Sequence, residues 1–167
     1  MTNVIAYIGL GSNLGDSLRN VRQAAAAISR LIEGECSGSS AWITKPVGFD
    51  REVPDFCNAV MRVATDFEPK ALLSGLQAIE RDMGRVKTKR VSGYESRLID
   101  LDIICYGDLI FAEPGLELPH PRAMQRQFVL LPLRELSVDF RFPTGSCDLG
   151  ESLDELISLA PQMEVLK

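Results

Sequence analysis

Two aspartates stand two residues apart in an otherwise apolar run, Arg97-Leu98-Ile99-Asp100-Leu101-Asp102-Ile103-Ile104-Cys105-Tyr106. The run has the composition of a buried β-strand, in which residues two apart share a face with Cβ atoms roughly 6–7 Å apart. Two neighbouring carboxylates repel each other, and apolar neighbours make their charges harder to solvate, so a cation between them is favoured. Mg²⁺ suits such a pair because it takes one or two carboxylates and fills its remaining positions with phosphate oxygens and water. The alternative is an edge strand whose polar face meets solvent.

A positively charged segment directly precedes this pair. Between residues 81 and 97 there are six basic and two acidic residues, although the net charge of the whole chain is −5. The part from Arg85 to Ser96 shows no hydrophobic periodicity, so we predict a long loop there. The cluster is either an anion site or a solvated charge run, and composition alone favours the charge run.

The overall composition narrows the class of protein. The chain has 167 residues, of which 46% are hydrophobic and 25% are charged, as is typical of one soluble globular domain, here predicted over 1–167. An acidic net charge argues against a general nucleic-acid binder. Four cysteines without CxxC spacing and a single histidine argue against a zinc cluster. We find no signal-peptide pattern and no apolar run of about 20 residues, so a cytoplasmic location without a membrane span is expected.

The order of predicted elements indicates the fold class. Apolar strand-like runs cover 4–8, 40–44, 57–65 and 98–106, while helical spacing of apolar residues covers 18–31 and 69–83. This order is β-α-β-β-α-β, the ferredoxin-like split motif. We therefore predict an α+β fold with a ferredoxin-like core, extended to a larger, mostly antiparallel sheet with helices on its faces. The remainder is predicted to hold a short helix at 121–125, an apolar segment at 128–136 and an amphipathic helix at 152–159.

A glycine-containing segment follows the first strand. Gly9-x-Gly11 lies between a strand and a helix, as in a dinucleotide-binding fingerprint, but Leu14 stands where the third glycine is required. No P-loop pattern occurs anywhere in the chain. We therefore interpret Gly9 to Asp16 as a loop without a nucleotide motif. It is either a tight turn that approaches a ligand or a plain turn, and the sequence favours the plain turn.

Four other residues have side chains suited to ligand binding. Asn58 begins an apolar strand, and its amide offers two donors and an acceptor for the edge of a heterocycle. His120 lies between two prolines, and Arg126 and Phe128 follow it closely. Each has an ordinary structural alternative: a strand start, a turn residue, or a surface cation beside a core aromatic.

In combination these features resemble the 6-hydroxymethyl-7,8-dihydropterin pyrophosphokinase family of folate biosynthesis. The resemblance spans about residues 4 to 143. It consists of several short sequence blocks, which are highly specific in combination. The matching blocks are Tyr7 to Asp16 (Y-I-G-L-G-S-N-L-G-D), Pro54 to Val60 (P-D-F-C-N-A-V), Glu80 through Gly84-Arg85, Arg97 to Ile103 (R-L-I-D-L-D-I) with Tyr106-Gly107, and Leu118 to Arg122 (L-P-H-P-R) through Arg126 to Leu133.

The resemblance implies an enzyme that transfers pyrophosphate from ATP to the pterin hydroxymethyl group and releases AMP. It implies that Asp100 and Asp102 hold two Mg²⁺ ions, with ATP as co-substrate. The implied catalytic residues are Arg85, Arg97, Asp100 and Asp102. The implied ATP-binding residues are Gln77, Glu80, Arg85, Lys87, Arg97, His120 and Arg126. The implied pterin-binding residues are Thr44, Val47, Phe56, Asn58 and Phe128. The expected partners are these two small molecules, with no nucleic acid or membrane, and the expected state is a monomer.

One segment departs from the family pattern. The family's Arg-Trp-Gly-Pro-Arg is absent before the aspartate pair, where Arg90 to Arg97 has neither Trp nor Pro, and Tyr94 is only a candidate replacement. Lys87 stands where arginine is common, which would lose bidentate geometry. We expect the loop 85–96 to be a mobile lid that closes over ATP. Two rival functions remain from the sequence alone: a regulatory ferredoxin-like binding module and a metal-dependent phosphohydrolase.

Overall fold

The structure is a computed structural model that describes residues 3–46, 52–84, 97–143 and 152–166. The predicted lid at 85–96 lies outside these ranges. So do four residues with predicted or candidate roles, Val47, Arg85, Lys87 and Tyr94.

The strands and helices follow the predicted order, with one additional short strand after the first helix. The first part comprises β1 (Val4–Ser12), α1 (Ser17–Leu31), β2 (Cys36–Gly38), β3 (Trp42–Thr44), β4 (Phe56–Thr65), α2 (Pro69–Asp82) and β5 (Asp100–Tyr106). The second part comprises β6 (Phe111–Glu113), β7 (Leu116–Leu118), a 3₁₀ turn (Ala123–Gln125), α3 (Gln127–Leu136), α4 (Leu153–Leu159) and β8 (Val165–Leu166). The strand predicted at 40–44 corresponds to β3, whereas β2 is an additional short strand that was not predicted.

The main sheet has the order β5-β1-β4-β3-β8, and β2 also pairs with β4. Every one of these pairings is antiparallel. This is the arrangement of a ferredoxin-like core with β1 and β4 in the centre, so the predicted fold class is confirmed. The strand β8 extends the sheet beyond the core, and β6 and β7 form a separate hairpin.

Two hydrophobic clusters cover the two faces of the sheet. Alternate residues of a strand point to opposite faces, so Ile8 of β1 joins the cluster with α1 and α2, while Tyr7 joins the cluster with α3 and α4. The predicted periodicity of the helices agrees with this packing. In α1, for example, the buried residues Val21, Ala24 and Ile28 face the sheet. Among the described residues, no helix has both the length and the hydropathy of a membrane span.

The segment predicted as a loop from Gly9 onward is instead the second half of β1, which continues to Ser12. This prediction was wrong because glycine's weak preference for strands was taken as decisive. Gly9 pairs with Val60 on one side and with Asp102 on the other, and Gly11 pairs with Asn58 and Asp100. Pairing on both edges of a central strand outweighs the local preference. The turn itself begins only at Asn13, and Asp16 ends it by accepting a hydrogen bond from the Arg19 N–H at 3.0 Å.

Candidate active site

The two aspartates and Asn58 share one face of the sheet, with a glycine between them. Asp100 lies opposite Gly11, which in turn lies opposite Asn58 on the other side of β1. Directly opposed residues in antiparallel strands project to the same face. The row beside it contains Asp102, Gly9 and Val60, and Val60 packs in the cluster with α3 and α4. The site therefore lies on the α3 and α4 face, and the two glycines place no side chain between the carboxylates and the Asn58 amide.

The Asp102 carboxylate lies in an unfavourable electrostatic environment. Burial among protein atoms, followed by the negative charge of Asp100, raises the pKa of Asp102 from 3.8 to about 6, although Arg97 and Arg126 act in the opposite direction. The Asp102 side chain nevertheless keeps 48% of its surface exposed, so it remains open to a ligand. Asp100 forms an ion pair with the guanidinium of Arg97. The two carboxylates thus favour positive charge near them, and Arg97 supplies one such charge.

The donor set fits Mg²⁺. Two carboxylates on one strand face supply hard oxygen ligands, and one of them, Asp100, already pairs with the positive charge of Arg97. Within the described ranges no group of three or more His, Cys, Asp or Glu side chains could hold a metal ion. A dyad without further protein ligands is appropriate to a metal that completes its shell with phosphate oxygens and water.

His120 faces the carboxylate pair from the segment after β7. Its Nδ1 accepts a hydrogen bond from the Arg122 N–H at 3.2 Å, and its Nε2 lies 4.0 Å from Oδ2 of Asp102. Burial, followed by the charges of Arg126 and Arg122, lowers the pKa of His120 below 6.5. The ring is therefore neutral at pH 7, and the hydrogen bond at Nδ1 assigns its proton to Nε2, on the side of Asp102.

Glu80 supports the aspartate strand from behind. Only 6% of this residue is exposed, and its Oε1 accepts a hydrogen bond from the backbone N–H of Leu101 at 2.8 Å. Leu101 lies between the two aspartates on β5, at the edge of the sheet formed by the described residues, so this bond satisfies a donor on the outer side of that strand. Gln77 lies one turn earlier on the same helix and is partly buried. The sequence-based assignment of both residues to ATP remains a prediction.

Arg126 and Phe128 lie together at the start of α3. The Arg126 guanidinium carbon is 5.3 Å from the centroid of the Phe128 ring, within the range of a cation–π contact. The charge of Arg126 also acts on both Asp102 and His120. The structure therefore brings this cation between the charged side of the site and an aromatic ring.

Three of the residues predicted to bind pterin meet across the neighbouring strands β3 and β4. Thr44 lies opposite Phe56, and Asn58 lies opposite Trp42, so the two polar side chains are diagonal neighbours. The Asn58 amide nitrogen donates a hydrogen bond to the Thr44 hydroxyl at 3.1 Å, and both residues are buried. The structure thus brings Thr44, Phe56 and Asn58 together, while their binding of pterin remains a prediction.

One residue of the site was missed in the sequence. Asn13 follows β1 in the segment interpreted as a tight turn, yet it is only 1% exposed. It exchanges two hydrogen bonds with Arg97: the Arg97 N–H donates to Asn13 Oδ1 at 2.7 Å, and the Asn13 N–H donates to the Arg97 carbonyl at 3.0 Å. The available signal was its position within the G-S-N-L-G-D block of the family resemblance.

Comparisons with known proteins place the chain among proteins of one description. The family model described as 7,8-dihydro-6-hydroxymethylpterin-pyrophosphokinase (HPPK) matches residues 7–138. A Haemophilus influenzae protein named 2-amino-4-hydroxy-6-hydroxymethyldihydropteridine pyrophosphokinase is 38% identical over 143 residues, which cover 85% of this chain and 87% of that protein. The Dictyostelium discoideum folic acid synthesis protein FOL1 is 40% identical over 145 residues, which cover 85% of this chain.

Some relatives are much longer than this chain. The match covers 21% of the Dictyostelium protein and 20% of the folic acid synthesis protein of Pneumocystis carinii. A solved structure described as HPPK-DHPS in complex with substrates superposes with a TM-score of 0.72 at 13% identity, covering 95% of this chain and 43% of that one. At this identity the superposition supports the fold alone.

Proposed function

The chain belongs to the 7,8-dihydro-6-hydroxymethylpterin-pyrophosphokinase family, and from this premise we propose that it transfers pyrophosphate from ATP to the hydroxymethyl group of 6-hydroxymethyl-7,8-dihydropterin and releases AMP. The observation that carries the proposal is the face that β5, β1 and β4 share. On it, a carboxylate pair suited to a metal and phosphates lies one glycine away from an amide suited to a heterocycle edge.

The cationic side chains around the aspartates are proposed to hold the phosphates of ATP. A transferring phosphoryl centre requires charge neutralisation and alignment more than covalent chemistry. Arg97 is already paired with Asp100, and the charge of Arg126 reaches Asp102. His120 is neutral at pH 7, and its Nε2–H can donate a hydrogen bond to a phosphate oxygen. Two arginines and one imidazole donor would thus surround the reacting phosphate.

Asp100 and Asp102 are proposed to hold the Mg²⁺, two ions in all, that the reaction requires. When bound there, Mg²⁺ supplies charge neutralisation at the phosphate oxygens. Glu80 holds the backbone between the two aspartates, so the strand segment that carries both side chains is fixed. The half-exposed Asp102 leaves the pair open to the incoming nucleotide.

The pterin is proposed to lie across Gly11, against Asn58 and Phe128. The buried Asn58 amide is held by Thr44, which fixes its orientation toward the polar edge of the ring. The aromatic side chains Phe56 and Phe128 are suited to the flat faces of the heterocycle. The hydroxymethyl oxygen would then approach the phosphate from the Asn58 side of the shared face, in the in-line arrangement that such transfers need.

The proposal extends to the organisation of the protein. We infer that residues 1–167 form one domain, because β8 near the end of the chain pairs with β3 of the same sheet. Small molecules are the proposed partners, with neither nucleic acid nor membrane, and a cytoplasmic monomer is the proposed state.

Calorimetry separates this function from its rivals. We would titrate the pterin and an unreactive ATP analogue into the protein with Mg²⁺ present, and separately measure AMP release from ATP with and without pterin. Binding of both ligands together with pterin-dependent AMP release is expected. Binding of nucleotide without pterin favours a phosphohydrolase, and binding of neither ligand favours a regulatory module. Either of these two results contradicts the proposed function.

A further inference from the structure

Asn13 connects two segments that lie far apart in the sequence. Its Oδ1 accepts a hydrogen bond from the Arg97 N–H at 2.7 Å, while its Nδ2 donates to the Pro54 carbonyl at 3.4 Å. A residue that is 99% buried and bonded in this way has a fixed side-chain orientation. The same short amide therefore touches the chain before β5 and the chain before β4.

These two segments lead into the two halves of the proposed site. Arg97 lies three residues before Asp100, on the phosphate side, and Pro54 lies two residues before Phe56, on the pterin side. The reciprocal bonds between Asn13 and Arg97 continue the antiparallel pairing of β1 with β5 beyond Gly11 and Asp100. In this pairing the side-chain Oδ1 replaces a backbone carbonyl.

The turn that carries Asn13 is itself held by the first helix. Asn20 of α1 donates hydrogen bonds to the Ser12 hydroxyl at 3.2 Å and to the Leu14 carbonyl at 2.8 Å. The Asn20 bonds stop at the turn, whereas the Asn13 bonds reach both site segments. Asn20 is therefore a matched control, because its loss removes two side-chain bonds from the same turn without touching Arg97 or Pro54.

We propose that Asn13 is a positioning residue that holds the Arg97 segment and the Phe56 segment at one fixed separation, so that the phosphate centre and the pterin hydroxyl meet in reactive geometry. This inference rests on the function proposed above for the same site. The residue type follows from the geometry, since one small planar group must accept from one backbone and donate to another. Displacement of reacting groups by about 1 Å can reduce a rate about a hundredfold.

The first test compares turnover of Asn13→Ala and Asn20→Ala with saturating Mg²⁺, ATP and pterin. We expect kcat of Asn13→Ala to fall about tenfold to a hundredfold, while kcat of Asn20→Ala stays within about threefold of the unaltered protein. Thermal unfolding of both variants shows whether they are folded at the assay temperature. A folded Asn13→Ala variant with kcat within threefold of the unaltered protein would overturn the proposal.

The second test uses Asn13→Asp, which keeps the acceptor toward Arg97 and replaces the donor toward Pro54 with another acceptor. We expect the Kd for pterin, measured with an unreactive ATP analogue and Mg²⁺ present, to rise about tenfold. The Kd for the analogue alone should stay within about threefold. A merely structural role predicts equal weakening of both ligands, and that result contradicts the proposal even if Asn13→Ala fails to fold. An unaltered protein without pterin-dependent AMP release instead contradicts the proposed function itself.

Discussion

The proposed site has two halves on the same sheet face. The phosphate half contains Asp100 and Asp102, and the pterin half contains Asn58 and Thr44. At the phosphate half, burial and charge repulsion raise the pKa of Asp102 to about 6, so the folded protein holds a carboxylate in an unfavourable environment. At the pterin half, the buried Asn58 and Thr44 side chains satisfy each other at 3.1 Å. Under the proposed function, the phosphate half would gain stability from a bound cation, whereas the polar side chains of the proposed pterin half already satisfy each other. Perturbed carboxylates of this kind are typical of functional sites.

The largest expected effect comes from neutralising the phosphate half. Asp100→Asn or Asp102→Asn should reduce turnover about a hundredfold or more, because metal-assisted charge stabilisation contributes several kcal/mol to the transition state. Steady-state AMP release at saturating Mg²⁺ measures this, with Asp108→Asn on the exposed turn after β5 as the control. Near-normal activity of both site variants would remove the functional distinction between the two halves.

We expect substitutions in the proposed pterin half to weaken pterin binding selectively. Asn58→Ala and Phe128→Ala should weaken pterin binding by roughly 1–3 kcal/mol, because each removes a hydrogen bond or an aromatic contact at the heterocycle. Calorimetry with the ATP analogue alone should show nearly unchanged nucleotide affinity. Equal losses for nucleotide and pterin would mean that the two halves do not bind separate ligands.

Alanine substitutions at Gly11 and Gly9 test where the proposed pterin half meets the phosphate half. A Cβ at this position would lie 3.3 Å from Oδ1 of Asn58, whereas a Cβ at Gly9 would meet the Ile104 side chain at an ordinary 3.4 Å. We expect Gly11→Ala to weaken pterin binding by about 1 kcal/mol through overpacking, and Gly9→Ala to have less effect on it. Pterin titration of both variants measures the difference. A larger loss in Gly9→Ala would place the pterin elsewhere on this face.

The smallest predicted effect is on stability. Because the folded-state pKa of Asp102 is raised from 3.8 to about 6, ionisation of this group disfavours folding as the pH rises through that interval. Without Mg²⁺ at pH 8, Asp102→Asn should therefore be more stable by about 1 kcal/mol, a value reduced for the screening of a half-exposed side chain. This corresponds to a Tm increase of about 2–4 °C.

The pH series provides the control for this prediction. The stabilisation should decline as the pH falls through 6 and vanish below about 4, where Asp102 is protonated in both the folded and the unfolded chain. Differential scanning calorimetry at pH 4 and pH 8 gives both values. A variant that is less stable than the unaltered protein at pH 8 would show that Asp102 does not carry the expected electrostatic penalty.

Much of this molecule could be predicted without its structure, because the signals are local. Period-two and helical spacing located the core strands and helices, and Asp100 and Asp102 had to share a face once their strand was recognised. The family resemblance rested on short contiguous blocks, and the comparisons confirm it. Local patterns also indicated that Asn58 and Phe128 were candidates, but not how far either lies from the aspartates.

Tertiary structure alone decided the relations between distant segments. Gly11 and Asp100 are far apart in the sequence, and only the register of β1 with β5 places them opposite each other. The segment from Gly9, predicted as a loop, is part of the central strand β1. Backbone pairing with strands on both sides outweighs glycine's low preference for strands. Asn13 and Glu80 accept hydrogen bonds from the backbone N–H groups of Arg97 and Leu101. No periodic pattern in the sequence indicates these contacts. Side-chain spacing along one element is encoded locally, whereas cross-strand register and side-chain contacts to remote backbone arise only when the whole sheet has formed.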